Sequence, residues 1–429
     1  MTGPRICRRA ALTAFVVAAA PIASAQEIIL DATSPIEEAK AATLLVPYAF
    51  YSPTYDFAIG FGGVLTGQIQ DQLSVFFNAI RSTNGTDQVQ LGFYGAQIPG
   101  TNRLFADGWI SAGRFAELRA YVGEDENGVR SGSAGSDPDN FVRDEAIEIW
   151  SELRFDFVLP IGKGAKEPIQ TYRLYRGILE GEGTGGRDWN PFTSGRTTLS
   201  ARPFYQRQDF EKAVDGQEIA TNGIELALEY DNTDFPRNPT YGSRQTISVS
   251  RDFGAFDSSD DWTVVEGEAV KFIDLGATSW SRQQVLAFGG WTAYSPTWNV
   301  EEDGTITNAP PYYRGTTLGG RRRLRGYPTD RFSDRAALLY WLEYRMVPDW
   351  QPLLDVEELA PARIDWWQLA LFTEVGRVAP SWSLEDLHSD LEWNVGASLR
   401  LFARKAIVRM DFAIGPEGGA FWLDLGHPF

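Results

Sequence analysis

The sequence is almost without thiols and imidazoles. Its 429 residues include one cysteine, Cys7, and two histidines, His388 and His427. That excludes a Cys/His zinc site and a disulfide framework. A Ser-His or Cys-His hydrolase has almost nothing to work with, so no residue is given a catalytic role and the chain is not read as an enzyme. Basic residues are also few, with 39 Lys and Arg against 57 Asp and Glu and a net charge of −18. An acidic chain of this kind is a poor ligand for nucleic acid. The acidic clusters Glu124-Asp125-Glu126 and Glu301-Glu302-Asp303 lack the spacing of a calcium loop, so neither a metal nor a cofactor is expected. Long apolar runs are missing too: no stretch beyond residue 25 approaches the roughly 18 apolar residues of a spanning helix.

What the chain does have begins with an export signal. Arg5, Arg8 and Arg9 precede an apolar run from Ala10 to Ala20, and Ala23-Ser24-Ala25 offers a small-residue cleavage site. The run is too short to anchor in a membrane, since spanning needs about 20 residues. Cleavage would leave 26–429 with 36 basic and 57 acidic residues, a net charge of −21. An exported chain without membrane helices is either a soluble secreted protein or a barrel in an outer membrane.

Period-two alternation favours the barrel. In 337–346, Leu338, Tyr340, Leu342, Tyr344 and Met346 share one face, and Glu343 and Arg345 share the other. In 391–402, Leu391, Trp393, Val395, Ala397, Leu399 and Leu401 alternate with Glu392, Asn394, Ser398 and Arg400. In 406–414, Ala406, Val408, Met410, Phe412 and Ile414 alternate with a set that includes Arg409 and Asp411. Each segment therefore has an apolar wall and a polar wall. Such segments match the roughly 9–11 residues of a tilted membrane strand, and their full charges suit a wet lumen.

The pattern predicts an all-β transmembrane antiparallel barrel of about 16 strands. They are placed at 57–66, 70–81, 87–97, 102–113, 145–158, 170–180, 196–207, 222–231, 242–252, 262–274, 282–293, 336–347, 365–377, 391–402, 405–415 and 419–429. The expected organisation is a signal peptide over 1–25, a short periplasmic segment over 26–54 and the barrel over 55–429. Phe429, in phase with Phe421, Leu423 and Leu425, matches an aromatic C-terminal barrel signal, and His427 on the same wall is read as an interface residue.

Residues 319–335 read GGRRRLRGYPTDRFSDR and precede a strand. With 230–242 (YDNTDFPRNPTYG), 369–376 (LALFTEVG) and the closing hairpin 406–429, they resemble the BamA/TamA-like outer-membrane assembly superfamily, the bacterial surface antigen barrels. The resemblance spans about 222–429. It implies a long loop folded inward before strand 12, with Arg325, Gly326 and Tyr327 at its tip and Arg331 and Phe332 beyond. It implies that Arg325 pairs with Glu343 and Glu374 on the lumen wall, that Gly326 allows a tight tip, and that Tyr327 packs on the inner wall. It also implies a periplasmic turn carrying Asp231, Asp234, Pro239 and Gly242. The short 26–54 segment leaves no room for periplasmic polypeptide-transport-associated domains, so a barrel-only member is expected.

The function implied is insertion or transport of protein, or of lipid, at the outer membrane. Gly60, Gly62 and Gly63 lie in what is read as the first strand, where they would weaken a seam able to open sideways. The implied partners are outer-membrane lipid, lipopolysaccharide, and client outer-membrane proteins or periplasmic partners. The competing reading is a passive cation-preferring channel or structural barrel.

Overall fold

The computed structural model describes residues 27–31, 42–52 and 55–429, apart from 182, 187, 212–217, 358, 360–362 and 404–405. The expected signal, 1–25, lies outside the described residues.

Sixteen strands form one sheet, hydrogen-bonded in chain order. They are β1 (Ala42–Ser52), β2 (Asp56–Thr66), β3 (Ser74–Ser82), β4 (Asp87–Gln97), β5 (Leu104–Ala120), β6 (Val142–Val158), β7 (Arg196–Phe210) and β8 (Glu218–Asp231). Then come β9 (Gly242–Phe253), β10 (Asp261–Asp274), β11 (Ser281–Tyr294), β12 (Ala336–Pro348), β13 (Ile364–Ala379), β14 (Glu392–Ala403), β15 (Ala406–Gly415) and β16 (Gly418–Leu425). The long loop falls before the twelfth strand, as expected.

The total of 16 is reached by a different route from the predicted one. The sheet starts at Ala42, not after residue 55, and 170–180 is not part of it. Pro47 hid β1, because proline removes a ladder donor and belongs on edge strands. β1 is an end strand of the sheet, where that loss is tolerated. Residues 170–175 and 178–179 instead form a separate hairpin, and Glu27–Asp31 pairs in parallel with 170–175. Alternation reports one buried face and says nothing of what buries it. With 170–180 removed from the sheet, the consecutive connections 121–141 and 159–195 are both long, so short and long connections do not alternate cleanly.

The alternation of faces holds in the regions where it was read. Ile247, Leu342, Val395, Phe412 and Ile414 are exposed on the outside. Glu343, Arg345, Arg400 and Asp411 are fully buried inside. The main interior cluster joins wall residues Phe204, Trp262, Trp291, Leu339 and Trp341 to Leu324, Tyr327 and Phe332 of the loop.

Both mouths carry inward structure. Residues 295–335 fold into one. At the other, the 170–179 hairpin lies beneath β12 to β15. Its Tyr172 and Leu174 pack on Val347, Trp366, Phe402 and Ile407. The Trp366 Nε1–H donates to the Gly177 carbonyl at 2.8 Å. The hairpin's stem rests on the 231–242 turn. There Gly183 and Gly185 approach the Asp234 and Asn232 carbonyls so closely that a Cβ on either would sit 1.9 Å from oxygen.

The two ends of the sheet meet without a described ladder. Leu423 of β16 packs against Tyr48 of β1, Ala58 of β2 and Ile80 of β3. A cavity of about 1500 Å³ in the lumen is lined by Phe421 and Leu423 from one face of β16 and by Trp422 from the other. Phe421 lies against Phe412 of β15, with ring centres 4.8 Å apart, while Trp422 faces the loop tip.

Candidate functional site

The site is where the loop tip meets the wall. Leu324, in the left-handed region at φ 56°, turns the chain so that Arg325 points outward from the loop. Arg325 is completely buried. Its main-chain N–H donates to Glu374 Oε2 at 2.6 Å and its Nε to Glu374 Oε1 at 2.8 Å. Its Nη2 donates to Glu343 Oε2 at 3.4 Å and its Nη1 to Asp411 Oδ2 at 3.3 Å. The guanidinium also lies 3.4 Å over the Phe372 ring. Both predicted acids are therefore in place, with the shorter contacts to Glu374. Burial works to lower the Arg325 pKa, but the three carboxylates outweigh it and hold the group charged.

The acids are held in turn by the neighbouring staves. Glu343 also binds Arg345 Nε at 2.6 Å and Arg400 Nη2 at 2.7 Å. Asp411 binds Arg409 Nη1 at 2.9 Å, and Arg409 Nη2 reaches Asp424 at 3.0 Å. Asn394 donates to Glu374 Oε2 at 3.0 Å. The alternation had put Arg345, Arg400, Arg409 and Asp411 on the polar wall. It gave no sign that they form one network, because the pairing is set by strands far apart in sequence.

Gly326 acts differently from the expected tight tip. Its backbone is not left-handed; a Cβ there would lie 2.6 Å from Cβ of Asn394. The glycine is a close-approach residue that lets the tip press on β14. Tyr327 is buried and donates to Glu392 Oε2 at 2.6 Å, with its ring against Phe332 at 5.2 Å. Burial, followed by the Glu392 contact, raises its pKa. Trp422 of β16 donates to the Arg325 carbonyl at 2.7 Å.

Three further arginines brace the loop. Arg331 makes a two-pronged contact with Glu417, at 2.8 and 2.7 Å, and holds Ser136 of the 121–141 connection. Arg323 pairs with Glu266 at 3.3 Å and lies 3.6 Å over Trp291. Arg314 lies 3.5 Å over Phe204, with Glu152 at 3.6 Å. Each combines a carboxylate with an aromatic face, a pairing suited to the planar guanidinium. Glu417, Glu266 and Glu152 were not anticipated.

The predicted periplasmic turn is internally bonded. Asp231 accepts from the Thr233 N–H and hydroxyl, and Asp234 accepts from the Thr240 N–H at 2.8 Å. Pro239 is buried, and Gly242 has φ 99°, with a Cβ position 2.0 Å from the Asn232 carbonyl oxygen. The turn serves as the seat of the hairpin stem.

The seam residues need correcting. Gly60, Gly62 and Gly63 lie in β2, the second strand. Rings and an aliphatic side chain cover them: a Cβ on Gly60 would overlap the Tyr48 ring at 2.1 Å, and one on Gly63 would meet Phe77 and Leu45 at 2.6 and 2.7 Å. They are spaces for neighbouring side chains; the strand next to the opening is β1. Phe429 also departs from its expected place. The strand ends at Leu425, and Phe429 is buried in the lumen, stacked on Trp341 at 5.0 Å. His427, read as an interface residue, is likewise inside, its Nδ1 2.8 Å from Arg400 Nη1.

The Omp85 superfamily domain matches residues 188–421. No curated protein matches. Among solved structures, CdiB from Escherichia coli is 10% identical with a TM-score of 0.52, over 90% of this chain and 60% of that one. CdiB from Acinetobacter baumannii is 9% identical with a TM-score of 0.51, over 89% and 59%. BamA from Haemophilus ducreyi lacking POTRA domains 1–3 is 12% identical with a TM-score of 0.48, over 90% and 69%. The chain spans about three fifths of the two CdiB chains. At these identities the likeness to CdiB concerns the fold.

Proposed function

The chain belongs to the Omp85 superfamily, and on that premise we propose that it handles polypeptide clients at the bacterial outer membrane through the junction of β1 and β16. The observation that carries the reading is the state of that junction. β16 has only eight residues, and it meets β1 through side-chain packing of Leu423 on Tyr48, with Ala58 of β2 and Ile80 of β3 beside it. An unpaired strand edge is a template for an incoming strand, which gains main-chain hydrogen bonds by adding to it. The locked loop braces β12 to β16, the strands that lead up to the junction. Lipid and lipopolysaccharide are the surroundings in which this would occur.

A passive, cation-preferring channel is the second reading, for which the cavity of about 1500 Å³ offers room, although its lining carries ten arginines against nine carboxylates. The loop in one mouth and the hairpin in the other both stand against it. Depletion followed by an inventory of outer-membrane proteins tests the first reading: loss of particular barrels is expected, and an unchanged inventory overturns it. Cysteines at Tyr48 and Leu423 then test the junction, because the only native thiol is Cys7. Oxidation is expected to stop client handling and reduction to restore it. Full activity in the cross-linked state refutes the seam.

A further inference from the structure

Residues 426–429 reach the loop lock from a side that the Arg325-Gly326-Tyr327 motif does not touch. Gly426, at φ 74°, turns the chain off β16 while its N–H donates to the Ile407 carbonyl at 2.9 Å. His427 then meets Arg400, and Phe429 stacks on Trp341 with the Arg345 guanidinium 5.2 Å from its ring centre. Arg400 and Arg345 are both ligands of Glu343, which binds Arg325. Only Arg400 and Glu343 separate His427 from Arg325. Two other routes run from the same strand: Trp422 holds the Arg325 carbonyl, and Asp424 holds Arg409, which holds Asp411.

The strap is held incompletely. Among the described residues, Arg345 Nη1 and Nη2 and His427 Nε2 are buried without a hydrogen-bond partner. Buried polar groups are normally satisfied, so an arrangement that leaves three open is cheaper to release than a fully bonded one. The lock at Arg325 has no such gap on its guanidinium. Of these atoms His427 Nε2 lies on the strap itself and the Arg345 pair on β12, and Asp411 Oδ1 and Asn394 Oδ1 beside the lock are open as well.

We propose that residues 426–429 are a strap coupling the position of β16 to the docking of the 295–335 loop, with Glu343 as the shared member, so that freeing either one loosens the other. When β16 moves outward, His427 and Phe429 leave Arg400 and Trp341. Arg400 and Arg345 are then free to reorient, and Glu343 loses the geometry in which it receives Arg325. The coupling rests on the seam reading only for its purpose; it is a property of the folded barrel without any client.

Hydrogen exchange of the full-length protein in lipid vesicles tests it. In a His427→Ala, Phe429→Ala variant, exchange over 318–327 is expected to rise about tenfold, and Arg325→Ala is expected to raise exchange over 418–426 in return. The 231–242 turn is the internal control and should not change. A strap variant that speeds exchange at 418–426 while the loop stays within about twofold of the parent overturns the coupling. Should that variant fail to fold, Leu339→Cys with Phe429→Cys pins the strap reversibly. The oxidised form is then expected to protect the loop more than the reduced form, and equal protection overturns the proposal. Client insertion is scored separately, so loss of one result leaves the other standing.

Discussion

Arg325 holds Glu374 twice, through its main-chain N–H at 2.6 Å and its Nε at 2.8 Å. Backbone and side chain of one residue converge on one carboxylate, so the tip is fixed in orientation as well as position. The consequences of breaking this contact differ between the two acids. Without the guanidinium, Glu343 keeps Arg345 and Arg400. Among the described residues Glu374 keeps Asn394 and a main-chain donor that no longer has its side chain beside it. The uncompensated charge is therefore mainly Glu374. Arg325→Ala is expected to cost about 3–5 kcal/mol, as removal of one partner of a buried pair does. Pairing it with Glu374→Gln should recover much of the loss. Denaturant unfolding in vesicles measures both, and equal stability of parent and Arg325→Ala would show that the lock contributes nothing.

Gly326→Ala is a test of fit without any change of charge. The added methyl would stand 2.6 Å from the Asn394 Cβ, so either the tip withdraws or β14 shifts. Overpacking of this kind costs roughly 1–3 kcal/mol. If conformational freedom were the reason for the glycine, Asn394→Gly in the same chain would give no relief. Because Asn394→Gly also removes the donor to Glu374, the relief is read as a double-variant midpoint above that expected from the sum of the two single changes.

Asp330 gives the loop a pH dependence. Burial first, and then the charge of Glu148, push its carboxyl up to about 7, against an opposing pull from Arg321. A carboxyl raised above its unfolded value of 3.8 favours the folded loop at low pH. That contribution is complete below about 4 and is lost as pH rises through about 7. Loop exchange should therefore quicken between these limits. Asp330→Asn should flatten the dependence without straining the backbone, since asparagine tolerates the φ of 54° found there. An unchanged profile in the variant would assign the dependence to another group.

Arg331 ties three connections together, and its partner is the turn next to the seam. Glu417, between β15 and β16, accepts from Nε and Nη2, while Ser136 Oγ accepts from Nη1. Glu417→Gln is expected to weaken the hold of the loop on the final hairpin by a modest amount, because Ser136, Phe332 and Tyr121 remain around the guanidinium. Arg331→Ala should be worse. Protease sensitivity of the 295–335 and 121–141 connections would show the order of the two.

Much of this was legible in the chain because membrane strands are written in period two. Glu343, Arg345, Arg400 and Asp411 could be put on the lumen wall from their neighbours alone. The tip motif could be matched to Glu343 and Glu374 through resemblance. What could not be read was which wall residue meets which, since Arg325 and Asp411 lie 86 residues apart in the chain. The first strand was concealed by Pro47 and the hairpin at 170–179 was mistaken for a stave, because alternation is the same wherever one face is buried. Phe429 keeps the phase of the outward residues of β16 in sequence, but Gly426, at φ 74°, turns the chain away before it.

The hairpin yields the last prediction. Trp366 stacks on Phe402 at 5.1 Å and donates to the Gly177 carbonyl, so it is the main attachment of the hairpin beneath β12 to β15. Trp366→Ala removes both contacts, and a buried tryptophan cut to alanine costs about 3–5 kcal/mol. The hairpin is expected to detach locally while the barrel survives on its ladders. Detachment alone should leave planar-bilayer current low, because the loop still fills the other mouth. Arg325→Ala alone should also leave it low, because the hairpin remains. Only the double variant should show a steady conductance, the behaviour of two obstructions in series. A single variant that conducts as well as the double would mean that one mouth was never obstructed, and would move the balance toward the channel.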